Sequence, residues 1–318
     1  MKKNLLALIL AVTMVLGLTA CNGPAKKGTY SVGIVQLMQH VALDQATQGF
    51  QDALTEKLGD KVSFDVQMAG GEATNWTPIV TKFINNKVDL IMANATPAVI
   101  AAKEATSTIP IVGTSVTDYV AAEAAIVASN EAPGGNVTGY SDLSDISAHV
   151  ELTKKLCPDA KTVAIVFCSA EPNSVIQGNQ AKTLYGEAGF TTVTLTASDI
   201  TTLSSVVTSA CSQADVIYIP TDNLFAENME AVKNITVPEK VPVICGEGGM
   251  VNSGGTATVS IDYYTLGYRA GEMAYSILAE GADPATTPIG FMSADDMELV
   301  INEENADAIG LVIPEDLK

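Results

Sequence analysis

The feature that most limits how this chain can fold is a strict alternation. Short apolar runs are followed by longer stretches of helical period, over and over, from residue 30 to the end. "YSVGIVQL" (30–37) predicts a strand and residues 43–59 a helix ending at Gly59. "VSFDVQM" (62–68) alternates like a half-buried strand; residues 76–87 are helical. Residues 88–95, 97–106 and 109–116 continue as strand, helix and strand. Apolar runs joined by helical connections are the pattern of a parallel sheet covered on both faces.

The rhythm stops at residues 117–144, where "APGGNVTGYSD" predicts a crossing segment. A second series then begins: helix 145–156, strand 162–167, helix 173–188, strand 191–197 and helix 199–211. Strand 215–220, helix 223–235, strands 241–246 and 256–262, helix 263–281, a strand-like 298–302 and a final helix complete it. With 318 residues, two domains are the natural expectation. The reading is α/β: two Rossmann-like lobes with parallel sheets, joined by crossings near 140–144, 260–263 and 281–288. The lobes are then discontinuous, 29–142 plus 263–284 and 143–262 plus 285–318.

The N-terminus has its own logic. Lys2 and Lys3 precede the apolar run Leu5 to Leu16, and "LTAC" ends at Cys21. Charge, apolar run and small residues form a secretory signal peptide over 1–20, too short to span a bilayer. Cys21 sits where a lipobox cysteine would be lipidated, and residues 21–28 form a short tether. Removing residues 1–20 leaves 15 basic against 36 acidic residues, a formal charge of −21. Such a surface argues against nucleic acid and anionic lipid as direct ligands. Cys157, Cys168, Cys211 and Cys245 lack metal spacing, so no metal and no cofactor are expected.

In open parallel sheets, ligands sit beyond the carboxyl ends of the strands. There the first half offers Gln36, Met38, His40, Asn94, Ala95, Thr96, Ser115, Thr117 and Asp118, with Tyr140 and Asp142 at the crossing. The second half offers Ser169, Glu171, Asn173, Ser174, Thr221, Asp222, Asn223, Glu247 and Asp262. Asn173 and Ser174 open a helix, whose free N–H groups suit a carboxylate, although the same residues also serve as caps. The chain has one arginine, Arg269, placed in mid-helix, so an anion would be held by N–H and hydroxyl groups. Asp118, Asp142, Glu171, Asp222 and Asp262 could meet an ammonium. Tyr140, Phe225, Tyr263 and Met38 could form an apolar wall. Together these describe an amino acid. Catalysis is poorly supplied: His149 falls in a helix and is expected to face solvent, and no nucleophile motif occurs.

"GIVQLMQHVALDQATQGF" (33–50), "ANATPAV" (93–99), "TSVTD" (114–118), "EPNS" (171–174), "PTDN" (220–223) and "SIDYYTLGYRAGEMA" (260–274) resemble the ABC transporter substrate-binding lipoproteins that include tryptophan-type amino-acid binders. Val41 replaces a proline common in relatives, and Cys168 and Ala170 stand where a serine is frequent. The resemblance implies a type I periplasmic-binding-protein fold. It implies capture of an aromatic or other apolar amino acid by a monomer, lipid-anchored on the extracellular face of the cell membrane, and delivery to an ABC permease. Two alternatives stand beside it: a type I receptor for a sugar or nucleoside, with Trp76 available for stacking, and an enzyme on the same architecture.

Overall fold

The computed structural model describes residues 28–120 and 125–318. The signal segment and Cys21 lie outside the described residues. The first half forms β1 (Tyr30–Gln36), α1 (Val41–Leu58), β2 (Val62–Met68), α2 (Ala73–Asn86), β3 (Leu90–Asn94), α3 (Thr96–Ala105), β4 (Ile111–Val116) and β5 (Val137–Ser141). The second forms α4 (Ile146–Leu156), β6 (Thr162–Cys168), α5 (Pro172–Glu187), β7 (Thr191–Ala197), α6 (Ile200–Gln213) and β8 (Val216–Ile219). It continues with α7 (Asn223–Glu227), α8 (Met229–Glu239), β9 (Val243–Cys245), α9 (Gly248–Ser253) and β10 (Ala257–Ile261). The chain then returns through α10 (Tyr263–Tyr275) and β11 (Gly290–Phe291), and ends with β12 (Met297–Ile301) and α11 (Glu303–Ile309).

The two sheets have one topology. Their strand orders are β11-β5-β4-β3-β1-β2 and β12-β10-β9-β8-β6-β7. Each is a doubly wound five-stranded sheet with a late strand added at one edge. Every described pairing is parallel except β10 with β12. Burial explains the sequence pattern. β3, β4 and β8 are buried at every residue, whereas the edge strands β2 and β7 alternate. A central strand covered on both faces is apolar along its length, with polar residues only toward its carboxyl end, as at Asn94, Thr114 and Ser115; an edge strand alternates.

α10 lies along α1 at very short range. A Cβ at Gly267 would sit 2.0 Å from the Ala46 carbonyl oxygen, and one at Gly49 would sit 2.1 Å from that of Tyr264. Only glycine lets the backbones approach so closely. Since α10 begins directly after β10, this contact ties one crossing to the first lobe.

Four expectations need correction. The segment 117–144 contains β5, hidden because Thr138 and Gly139 interrupt its apolar run; a Cβ at Gly139 would meet the Gly113 carbonyl oxygen at 2.1 Å. β11 pairs with β5, so the chain stays with the first sheet to Phe291 and crosses between Phe291 and Met297, not at 281–288. The helix expected over 223–235 is two helices, α7 and α8, broken at Asn228. His149 is fully buried, not solvent-facing. Its Nε2 lies 2.9 Å from the Val259 carbonyl and its Nδ1 3.2 Å from the Tyr218 hydroxyl. It shares the inward stripe of α4 with Ile146, Val150 and Thr153.

Candidate functional site

The carboxyl ends of both sheets border one interlobe space. It is lined from the first lobe by His40, Ala42, Leu43, Ser115, Thr117 and Asp142, and from the second by Asn173, Thr221, Asp222, Asn223, Ala226 and Glu247; Tyr263 closes it at a crossing. The enclosed volume is about 20 Å³, room for about one water, whereas small-molecule pockets run to several hundred Å³. The lobes must part to admit a ligand of amino-acid size.

Polar side chains hold the lobes together across this space. His40 Nε2 lies 3.1 Å from Asn223 Oδ1. The Asn223 amide nitrogen donates to Glu171 at 2.5 Å, so its oxygen accepts and His40 Nε2 carries the proton. The Gln177 amide donates to Thr117 Oγ1 at 3.0 Å. On the first lobe's own side, Tyr263 donates its phenol proton to Asp142 at 2.8 Å.

The electrostatics are one-sided. Asp142, Glu171, Asp222 and Glu247 are 5, 8, 2 and 3% exposed, and among the described residues no lysine or arginine pairs with any of them. Burial pushes Asp142 up to about 6 against the hydrogen bond from Tyr263. Burial raises Glu247 to about 7, opposed by the N–H groups of Gly249 and Met250, with the Asp142 charge adding a little. Asp222 is raised by burial and by the neighbouring Glu171 charge.

Several acceptors and hydroxyls at the site have no partner: Asn173 Oδ1, Ser115 Oγ and His40 Nδ1 on the lining, and Thr96 Oγ1 and Thr114 Oγ1 beside it at the ends of β3 and β4. A buried polar group left unpaired costs about 1–3 kcal/mol. The same strand ends carry strained backbone, with φ 98° at Ala95 and 57° at Ser115. Strain of this kind collects at binding sites.

Of the residues singled out in the sequence, His40, Ser115, Thr117, Asn173, Thr221, Asp222, Asn223 and Glu247 line the cavity. Others support it. Gln36 donates to Asp44 and to the Met38 carbonyl and accepts from Thr47, pinning the β1–α1 turn. Asn94 donates to the Leu43 carbonyl and Thr47. Glu171 accepts from the Asn223 and Leu224 backbones, capping α7 from outside. Ser174 is buried beside Asn173, and Met38 packs near Gly71. Asp118 accepts from the Val120 N–H, Tyr140 is half-buried near Gly290, Ser169 is exposed, and Asp262 caps α10. Asp142 and Tyr263 belong to the lining, as do Ala42, Leu43 and Ala226, which nothing in the sequence singled out.

The anion seat expected at Asn173 and Ser174 meets the wrong surroundings. The Asn173 amide nitrogen donates to Glu171 at 3.4 Å and the Thr221 carbonyl at 3.2 Å, leaving only its oxygen unpartnered. Two carboxylates flank it. That end of the site favours a cation.

The sequence profile of a family described as ABC transporter substrate binding protein matches residues 31–318. The tyrosine-binding protein of Clostridioides difficile is 36% identical over 97% of this chain and 93% of its own length. A Streptococcus pneumoniae ABC domain solved in complex with L-Trp is 33% identical, covers 91% of this chain and 97% of its own, and superposes with a TM-score of 0.86. The ligand-free, open structure of a substrate binding protein with adhesive properties from Clostridium difficile is 36% identical with the same coverage, yet superposes at only 0.69.

Proposed function

The chain belongs to the ABC transporter substrate binding protein family, and from that premise we propose that it captures an aromatic amino acid between its lobes and hands it to an ABC permease. The observation that carries this is the interlobe cavity ringed by buried carboxylates with no cationic partner among the described residues. A ligand ammonium supplies the missing charge. Asp142, Glu247 and the free oxygen of Asn173 are its natural partners. The ligand carboxylate takes the opposite, hydroxyl-rich end, at Ser115 and the start of α3. Leu43, Ala226 and Tyr263 give apolar surface. A relative that binds tyrosine and a neighbour holding L-Trp support an aromatic side chain.

The protein works by hinge closure. This structure superposes better on the L-Trp complex than on the open, ligand-free relative, although the latter is slightly closer in sequence. The His40–Asn223 and Gln177–Thr117 bonds then form on closing and break on opening. Capture proceeds without turnover: His40 is engaged with Asn223, and His149 is sealed against Tyr218 and Val259. Cys21 carries the lipid that holds the protein at the outer face of the membrane; among the described residues no helix is long and apolar enough to cross it.

A sugar or nucleoside is the second reading, and it leaves the carboxylates uncompensated. Native mass spectrometry of freshly purified protein is expected to release tyrosine or tryptophan on mild activation. Release of a hexose or a nucleoside instead would overturn the assignment.

A further inference from the structure

Three carboxylates, Asp142, Asp222 and Glu247, line one small space and a fourth, Glu171, lies beside Asp222; each is more than nine-tenths buried, and among the described residues none has a lysine or arginine partner. Desolvating one unpaired carboxylate is already costly, and several cannot all stay charged together. A ligand-free, closed cavity of this kind must therefore hold protons. A second, independent observation marks where a cation fits: Asn173 Oδ1, on a side chain 5% exposed, lies on the same lining without a partner.

Resting on the amino-acid reading above, we propose that capture is an exchange, in which the ligand's ammonium group replaces protons held by Asp142 and Glu247 and each binding event releases protons to solvent. The step is balanced. A protonated carboxyl gives its proton to buffer, and the resulting carboxylate pairs with R–NH₃⁺, whose own protons stay in place. Asp142 is the better placed of the two, because Tyr263 and Thr117 hold only part of its hydrogen-bonding capacity.

The titratable neighbours are few. α10 brings Tyr263, and the segment after β4 brings Tyr119; burial and the Asp142 charge raise both further above their usual range, so both stay neutral. Cys245 lies behind Glu247 and is likewise raised by burial. On the other wall Asp222 faces Glu171 and Cys168. His40, at the start of α1, is lowered by burial, which works against its charged form, although its hydrogen bond to Asn223 and the nearby Asp44 charge oppose this. None of these supplies a positive charge, so protons or a ligand cation must do so. The consequence is specificity: a ligand without a positive nitrogen cannot displace the protons and leaves the carboxyls protonated. Capture also weakens in acid, where the displaced protons are abundant.

Calorimetric titration of the full chain with L-tyrosine, in phosphate and in imidazole buffer at pH 6, tests this. The two buffers take up protons with different heats. The apparent binding enthalpies are expected to differ by the equivalent of about one proton released per ligand, less at pH 8, and less again in Asp142→Asn. Binding with equal heats in both buffers overturns the exchange while leaving amino-acid capture intact. Failure of both L-tyrosine and L-tryptophan to bind at any pH overturns the capture reading and the exchange with it.

Discussion

Asp142→Asn is expected to weaken binding of L-tyrosine by about 2–4 kcal/mol, roughly thirty- to thousand-fold. The asparagine keeps the acceptor that Tyr263 uses at 2.8 Å and removes the charge facing the ligand's ammonium. The same change is expected to stabilise the ligand-free protein at pH 8. Burial holds Asp142 at about 6, above the ordinary carboxylate value near 3.9. The native state therefore binds the extra proton. The stability this gives is complete below about pH 4 and is lost as pH rises to about 6. At pH 8 the ionised Asp142 costs about 3 kcal/mol relative to a neutral side chain, and asparagine lifts that cost. Melting temperature should rise by several degrees at pH 8, by about half as much at pH 5 and hardly at all below pH 4, while affinity falls. A variant that both melts lower at pH 8 and binds as wild type would show Asp142 to be a structural residue only.

Gly267→Ala is expected to destabilise the protein by about 2–3 kcal/mol, although helix propensity alone predicts a gain of about 0.5–1 kcal/mol. The added Cβ would fall 2.0 Å from the Ala46 carbonyl oxygen and 2.6 Å from its carbon. Backbone cannot yield locally, so α10 must move away from α1 by about an ångström. That shift empties part of the apolar packing of Phe50, Leu54, Ala270 and Ala274. Because α10 leads straight out of a crossing, ligand affinity should fall together with stability. Chemical denaturation reads the first and titration the second; an unchanged or higher midpoint would refute the close approach of the two helices.

Both predictions rest on positions whose legibility in the sequence was uneven, for physical reasons. The sheets were readable because β3, β4 and β8 are covered on both faces and run apolar until the polar carboxyl ends of β3 at Asn94 and of β4 at Thr114 and Ser115. β5 was not, since Thr138 and Gly139 sit inside it and break its apolar run. With β5 in place, Asp142, placed at a crossing by the sequence, becomes a residue just beyond a strand end, like Thr117 and Glu247. β11 is two residues long, too short to carry any pattern, and its absence misplaced the third crossing. His149 was misjudged on polarity alone, though its spacing from Ile146 and Thr153 places it on the buried face.

Within the site, polar residues at strand ends were found because water-competing chemistry needs such groups. Ala42, Leu43 and Ala226 escaped because an apolar residue in the first turns of a helix looks the same whether it faces a core or a ligand. Asn173 at a helix start suggests an anion, Glu171 two residues before it suggests a cation, and the fold adds Asp222 close by. A helix start can be outvoted by two carboxylates.

The central claim is that the carboxylate-ringed space between the lobes takes an aromatic amino acid through its ammonium group. Calorimetric titration of the purified protein with L-tyrosine and with N-acetyl-L-tyrosine tests it most directly, because the two share carboxylate and ring and differ in the charge on nitrogen. Saturable one-to-one binding of L-tyrosine, at least a hundredfold tighter than its N-acetyl form, is the predicted result; equal affinity for the two, or binding of neither while a hexose binds, would contradict it.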